Sequence, residues 1–197
     1  EIFNSIPPKK LKDTAVCIGK FDGIHKGHKL LIDDVVSDGK YTSLMLTFLF
    51  ENRPQIYTET EKINIVKKLG IDVYVELPVT KELFDTKPEV FVRDILCKRL
   101  GASRIVVGKD FRFGRKRSGD IYTLDKLKNE CSYELYVYEK LKDDNGIEIS
   151  SSKIRDYLKA SDIKKAGELL GRNYSISGRV GSGDHIGKKL GAATANI

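Results

Sequence analysis

The sequence has no tryptophan, a single methionine and only three cysteines, Cys17, Cys97 and Cys131, which lie far apart without a CxxC pair. An odd, scattered set offers no disulfide framework; these read as free thiols suited to a reducing cytosol, with packing as the expected role of Cys17 and Cys97 among apolar neighbours. No apolar run approaches the roughly 20 residues of a membrane helix. The opening EIFNSIPPKK also lacks the apolar core of a signal peptide, so a soluble cytoplasmic protein is the expectation. Neither GxxxxGK[ST] nor GxGxxG occurs, which excludes a Walker phosphate loop and a dinucleotide fingerprint. Histidine is scarce as well: His25 and His28 stand together, but His185, the remaining one, lies in a distant segment. A zinc site there would lack its third ligand.

Basic residues are plentiful, 35 Lys and Arg against 28 Asp and Glu, for a net charge of +7. They are spread along the chain. The densest group is Arg112, Arg115, Lys116 and Arg117, interleaved with Phe111 and Phe113. Such a group suits a polynucleotide, a small polyphosphate or a plain solvated surface.

The dominant pattern is strand followed by helix. Residues 14–19 (TAVCIG) form a short run of strand formers, and after a glycine-rich turn KLLIDDVV carries one apolar helical face stopping near Gly39. Residues 43–48 predict a second strand. Thr58 and Glu61 have capping-box spacing before a helix that ends at Gly70. Residues 71–77 predict a third strand. Thr86 and Glu89 repeat the box spacing before a helix closing at Gly101. Strands are expected at 104–108 and 133–140, with a helix near 121–130 between them. Two short helices broken near Ser161 follow. Beyond 171–173 the texture becomes glycine-rich, without helix. Alternating strands and helices imply an α/β fold with a parallel sheet covered on both faces.

The first strand runs into KFDGIHKGHKLL. In an open parallel sheet ligands bind beyond the carboxyl ends of the strands, and the first strand–helix turn is a favoured place. His25 and His28, three apart at a helix start, face the same way. Gly23 and Gly27 let a phosphate approach the backbone, and the unpaired amides of the helix start attract anions. Ser151 and Ser152 at a later helix start offer hydroxyls and amides, and Arg155 offers a guanidinium fork.

GKFDGIHKGH resembles the HxGH motif of the nucleotidylyltransferases and, within them, the bacterial bifunctional riboflavin kinase/FAD synthetases. Residues 108–114 (GKDFRFG) with the following Arg117-Ser118-Gly119-Asp120, residues 149–155 (ISSSKIR), and residues 173–179 (NYSISGR) with 187–197 (GKKLGAATANI) resemble further motifs of that family in order. The resemblance implies a Rossmann-like doubly wound parallel sheet over residues 1–171. Residues 172–197 would be the beginning of a β-barrel riboflavin kinase domain. It implies transfer of AMP from ATP to FMN, giving FAD and pyrophosphate, with Mg2+ on the phosphates and no protein nucleophile.

Residue by residue, the resemblance makes His25, His28 and Arg155 catalytic. Gly19, Phe21, Asp22, Gly23, Asp110, Ser151 and Ser152 join them in binding ATP, and Phe111, Phe113 and Arg115 meet the flavin. Thr194 and Asn196 would hold metal and phosphates, but only in a complete kinase domain. Small nucleotides and flavins are the expected partners, without nucleic acid or membrane. This chain departs from the family pattern at Lys20, where asparagine is usual, in lacking a Pro-His-Pro-like loop after Phe48, and in lacking the proline of the kinase motif at 191–196. Two other readings stand beside this one: an adenylyltransferase for another small phosphate such as phosphopantetheine, and a non-catalytic module binding nucleotide, flavin or RNA.

Overall fold

Four strands carry the buried β-structure, and their side chains alternate between two apolar layers. In the computed structural model, which describes residues 1–37, 39–50 and 54–181, all strands are parallel and lie in one sheet of order β1-β4-β3-β2-β5-β6. The strands are β1 (Ile2–Phe3), β2 (Thr14–Ile18), β3 (Thr42–Leu49), β4 (Val73–Pro78), β5 (Ala102–Gly108) and β6 (Glu134–Tyr138). β2 is central, pairing β3 on one side and β5 on the other, and every residue of it is buried. The Rossmann-like α/β expectation is therefore met.

The two-residue period of a strand divides the core. Val16, Ile18, Leu44, Leu46, Ile105 and Val107 face one side. There they meet Phe91, Val92 and Leu96 of a π-helical run, Phe91–Arg99, which continues α4 (Pro88–Val90), and Leu124 and Leu127 of α5 (Ile121–Cys131). Ala15, Cys17, Met45, Tyr74 and Val106 face the other side, against Leu31, Ile32 and Val35 of α1 (Lys26–Ser37) and Val66 of α2 (Glu59–Lys68). Burial pushes the Cys17 thiol up, as a packing role requires. A third cluster joins Ile56 and Tyr57 to α6 (Ser151–Lys159) and α7 (Ile163–Leu170) through Ile154, Ala166 and Leu170.

Helix starts follow local chemistry. The Thr58–Glu61 capping box forms as expected, and Asp120 with Thr123 forms another at α5. The box expected at Thr86 and Glu89 does not form. Thr80 caps α3 (Lys81–Asp85) instead, and Thr86 closes that helix by donating its hydroxyl to the Glu82 carbonyl at 2.7 Å. Pro88 then begins the next helix at its first position, where a missing N–H costs nothing. β1 was not expected, because two residues carry no alternation; it is held by pairing with Tyr74 and Val75. Residues 172–181 form no helix or strand element. His185, Thr194, Asn196 and the expected barrel start lie outside the described residues.

Gly101 adopts φ +62°, and a Cβ there would come within 2.3 Å of the Leu11 carbonyl oxygen, whereas Gly39 at φ +63° has open space. Thermal unfolding should therefore separate the two: Gly39→Ala should cost about 1 kcal/mol, the left-handed penalty alone. Gly101→Ala should cost about 3 kcal/mol or more, because backbone must move as well. Equal losses would contradict the close approach of residues 11 and 101.

Candidate active site

The strand order reverses at β2, so the loops after β2 and β5 flank a crevice at the carboxyl edge of the sheet. The β2 loop is tied to β3: Gly19 N–H donates to the Leu46 carbonyl at 3.2 Å and the Thr47 hydroxyl to the Lys20 carbonyl at 2.9 Å. It then turns through three left-handed residues, Phe21 (φ 42°), Gly23 (φ 85°) and Ile24 (φ 44°). Phe21 and Ile24 are buried beneath it. This turn delivers His25 to the position just before α1.

His25 acts as a helix cap. Its Nδ1 accepts the His28 N–H at 3.3 Å, as an N-cap side chain does. The two imidazoles stack at 3.6 Å with 14° between planes, and Phe21 meets His28 edge-on at 5.0 Å. A Cβ at Gly27 would lie 3.3 Å from the His25 ring, which explains a glycine between the histidines. Burial first, then the Arg172 charge, lowers the His25 pKa from 6.5 to about 4. Burial, His25 and Arg172 hold His28 well below 6.5 too, so both rings are neutral near pH 7.

The serine–arginine segment folds onto this loop from far along the chain. Ser150 caps α6 by accepting the Lys153 N–H at 3.3 Å. The Ser151 hydroxyl donates to the Asp22 carbonyl. Arg155 pairs with one Asp22 carboxylate oxygen while the other accepts the Ile56 N–H at 2.9 Å, and Arg155 also donates to the Ser152 hydroxyl at 3.3 Å. Gly19, Phe21, His25, His28, Ser151, Ser152 and Arg155 then line one cavity of about 600 Å³. Asp22 and Gly23 do not line it; they shape the loop from behind.

The same cavity has an aromatic lining. Asp110, Phe111 and Phe113 follow β5 and line it. Phe111 and Phe113 stack at 5.2 Å, with Phe113 buried against Phe91 at 5.5 Å, so Phe111 is the more accessible face. Asp110 lies 3.4 Å from the Lys140 ammonium. Arg115 does not line the cavity: its N–H donates to the Thr86 carbonyl and its guanidinium faces Asp85 at 4.0 Å, while Arg112 and Arg117 line it instead. The sequence reading also missed Phe48, Phe50 and Phe84 of the lining. Phe48 is the penultimate residue of β3 and Phe50 directly follows the strand, on the same edge of the sheet as the histidine loop, and that position was the available signal. Lys20, the departure from the family pattern, sits 4.9 Å over the Phe50 ring.

The result is a cleft lined by neutral N–H donors, hydroxyls and a guanidinium together with phenylalanine faces. That arrangement suits a polyphosphate joined to flat rings. The buried imidazoles also make stability depend on pH. An unfolded His25 takes up a proton near pH 6.5 and the folded one only near 4, so the folded state loses stability as pH falls through that window and is unaffected above it. The loss is on the order of 3 kcal/mol when complete. His25→Asn retains a capping acceptor without the titration, so its urea midpoint should fall less between pH 7 and pH 5 than that of the wild type. Identical slopes would reject the assignment.

Comparison with known proteins agrees with this geometry. Residues 7–153 match the FAD synthetase family and residues 170–197 the riboflavin kinase family. A bifunctional riboflavin kinase/FMN adenylyltransferase of Buchnera aphidicola subsp. Schizaphis graminum is 36% identical, covering 94% of this chain and 63% of its own length. An FAD synthetase of Listeria monocytogenes is 32% identical, covering 92% and 78%. The chain thus spans just over three-fifths of the length of the bifunctional relative. A crystal structure described as a macrolide-efflux protein from Streptococcus pneumoniae superposes with a TM-score of 0.83 at 26% identity, over all of this chain and 67% of that one. Among the described residues no helix is long and apolar enough to cross a membrane. With that family match spanning most of its length, and its motif residues gathered in one cleft, the chain belongs to the FAD synthetase family.

Proposed function

We propose that this chain transfers AMP from ATP to FMN, releasing pyrophosphate, with residues 1–171 as the adenylyltransferase unit and residues 172–197 as the start of a riboflavin kinase domain. One observation carries the reading: His25 and His28 share a single cavity with Ser151, Ser152 and Arg155, and phenylalanines line that same cavity. An FMN phosphate oxygen attacks the α-phosphorus, the new P–O bond forms, and the bond to the β-phosphate oxygen breaks. The nucleophile is already an anion, so no protein group need take a proton.

The protein's work is alignment and charge compensation. The neutral imidazoles of His25 and His28 donate N–H groups to phosphate oxygens, and the first turn of α1 adds its positive end. Arg155, held in place by Asp22, presents its remaining N–H groups, and the Ser152 hydroxyl stands beside it. Among the described residues no cluster of three or more His, Cys, Asp or Glu could hold a metal. That donor set fits magnesium entering as part of MgATP, held by phosphates and at most one or two carboxylates such as Asp110. The ion would offset phosphate charge. Phe111 offers its face to the flavin ring, and Arg112 and Arg117 are better placed than Arg115 for the flavin's polar groups. Riboflavin phosphorylation, with Thr194 and Asn196 on metal and phosphate, would belong to a complete kinase domain.

FAD formed from ATP, magnesium and FMN, followed by chromatography, tests the reading. His28→Ala should keep its far-ultraviolet circular dichroism and lose turnover on the order of a hundred- to a thousandfold. Near-normal turnover would remove His28 from the chemistry, and adenylylation of phosphopantetheine rather than FMN would replace the substrate. Phe111→Ala should raise KM for FMN about fivefold to tenfold with KM for ATP unchanged. An effect confined to ATP would place the flavin elsewhere.

A further inference from the structure

Arg172 stands just beyond Gly171, the left-handed cap of α7, and so beyond the FAD synthetase match that ends at residue 153. Its guanidinium nevertheless reaches back to the histidine loop. One amino group donates to the Ile24 carbonyl at 2.7 Å and the Leu170 carbonyl at 3.2 Å, and the other donates to the Gly23 carbonyl. The guanidinium lies 5.1 Å above the Tyr57 ring, a cation–π arrangement. The residues after it are latched nearby: the Tyr174 hydroxyl donates to the Ile56 carbonyl at 3.4 Å, and Ser177 N–H donates to Glu61 at 2.6 Å.

The carbonyls that Arg172 gathers belong to the two left-handed residues immediately before His25. For Ile24, a β-branched residue at φ 44°, that conformation is costly by roughly 1–2 kcal/mol and needs an external hold. Two parallel N–H donors on adjacent carbonyls provide one, a task for a rigid fork and not for a single ammonium. The same cation stands close enough to oppose protonation of both imidazoles. Other charged residues lining the cavity that holds the rings are Lys20, Asp110, Arg112, Arg117, Glu139, Lys140 and Arg155, and Lys26 opens α1. Arg155 holds the same turn through the Asp22 carboxylate, and Arg172 is the charged side chain bound to its Gly23 and Ile24 carbonyls.

We propose that Arg172 is a positioning residue for adenylyl transfer: it locks the 23–24 turn and thereby sets His25 and His28 in the cavity, so the first residues of the riboflavin kinase match complete the FAD synthetase site. This rests on the adenylyl-transfer reading above for its kinetic consequence, but not for its structural one.

Two readouts on the protein with its kinase segment test it, using Arg172→Met and Arg172→Lys. The first needs no substrate: nitrogen-15 NMR of the histidine rings against pH. In the wild type His25 should stay neutral down to about pH 4. Losing the positive charge in Arg172→Met should move the midpoints of both rings upward, toward 6.5, while Arg172→Lys keeps the charge and should keep them low. The second is kinetic. Both variants lose the fork, so both should raise KM for ATP by roughly tenfold to a hundredfold, leaving KM for FMN near the wild-type value. Unmoved histidine midpoints in Arg172→Met together with wild-type KM for ATP would overturn the proposal. Should Arg172→Met fail to fold, Arg172→Lys decides, since a wild-type KM for ATP in that variant also overturns it. If the wild type makes no FAD, the adenylyl-transfer reading falls while the histidine titration still judges Arg172.

Discussion

Between β2 and α1 the chain must turn through three left-handed residues, and the site exists only while that turn is held. Two arginines from the far end of the chain hold it, in opposite senses. Arg155 engages the Asp22 carboxylate, and Arg172 engages the Gly23 and Ile24 carbonyls, so consecutive residues of the loop are anchored from α6 and from beyond α7. Asp22 passes the constraint on by accepting the Ile56 N–H, which brings in the segment leading to α2. The short helices α6 and α7, which add no strand to the sheet, are therefore what gives the sheet's carboxyl edge a defined floor.

That hold sets the electrostatics as well as the shape. A phosphate site of the kind proposed is commonly pictured as a cluster of cations, yet the paired imidazoles here are buried and neutral near pH 7, and the His25 cap uses a bare Nδ1 that protonation would destroy. Positive charge comes instead from guanidinium groups that cannot lose it and from the aligned amides of α1. Donors that are neutral before the ligand arrives need not be separated from counter-ions when it does. Such preorganisation is what electrostatic catalysis requires.

Much of this was legible from local pattern. The Thr58–Glu61 box, the left-handed caps at Gly70, Gly101 and Gly171, and the buried strands at 14–18, 43–48 and 104–108 all follow from residues within a turn or two of each other. Where two local rules competed, the pattern misled: Thr86 had capping spacing to Glu89, but Pro88 between them set the helix start and Thr86 closed the preceding helix. The arginine cluster shows the same limit. Its composition suited a polynucleotide, a polyphosphate or a plain solvated surface alike, and only the path of the backbone puts Arg115 beside Asp85 and Arg112 and Arg117 in the cavity lining.

The sequence by itself determined the alternation of strands and helices from residue 14 onward and the parallel α/β class, because strand period, helix caps and glycine turns are short-range properties of the chain. Tertiary structure alone decided that Phe48, Phe50 and Phe84 join Phe111 in lining one cavity, that Asp22 faces α6 rather than the cavity, and that Arg172 reaches the histidine loop. Each of those contacts links residues far apart in the chain. Their meeting is set by how whole helices pack on the sheet, and no local spacing records it.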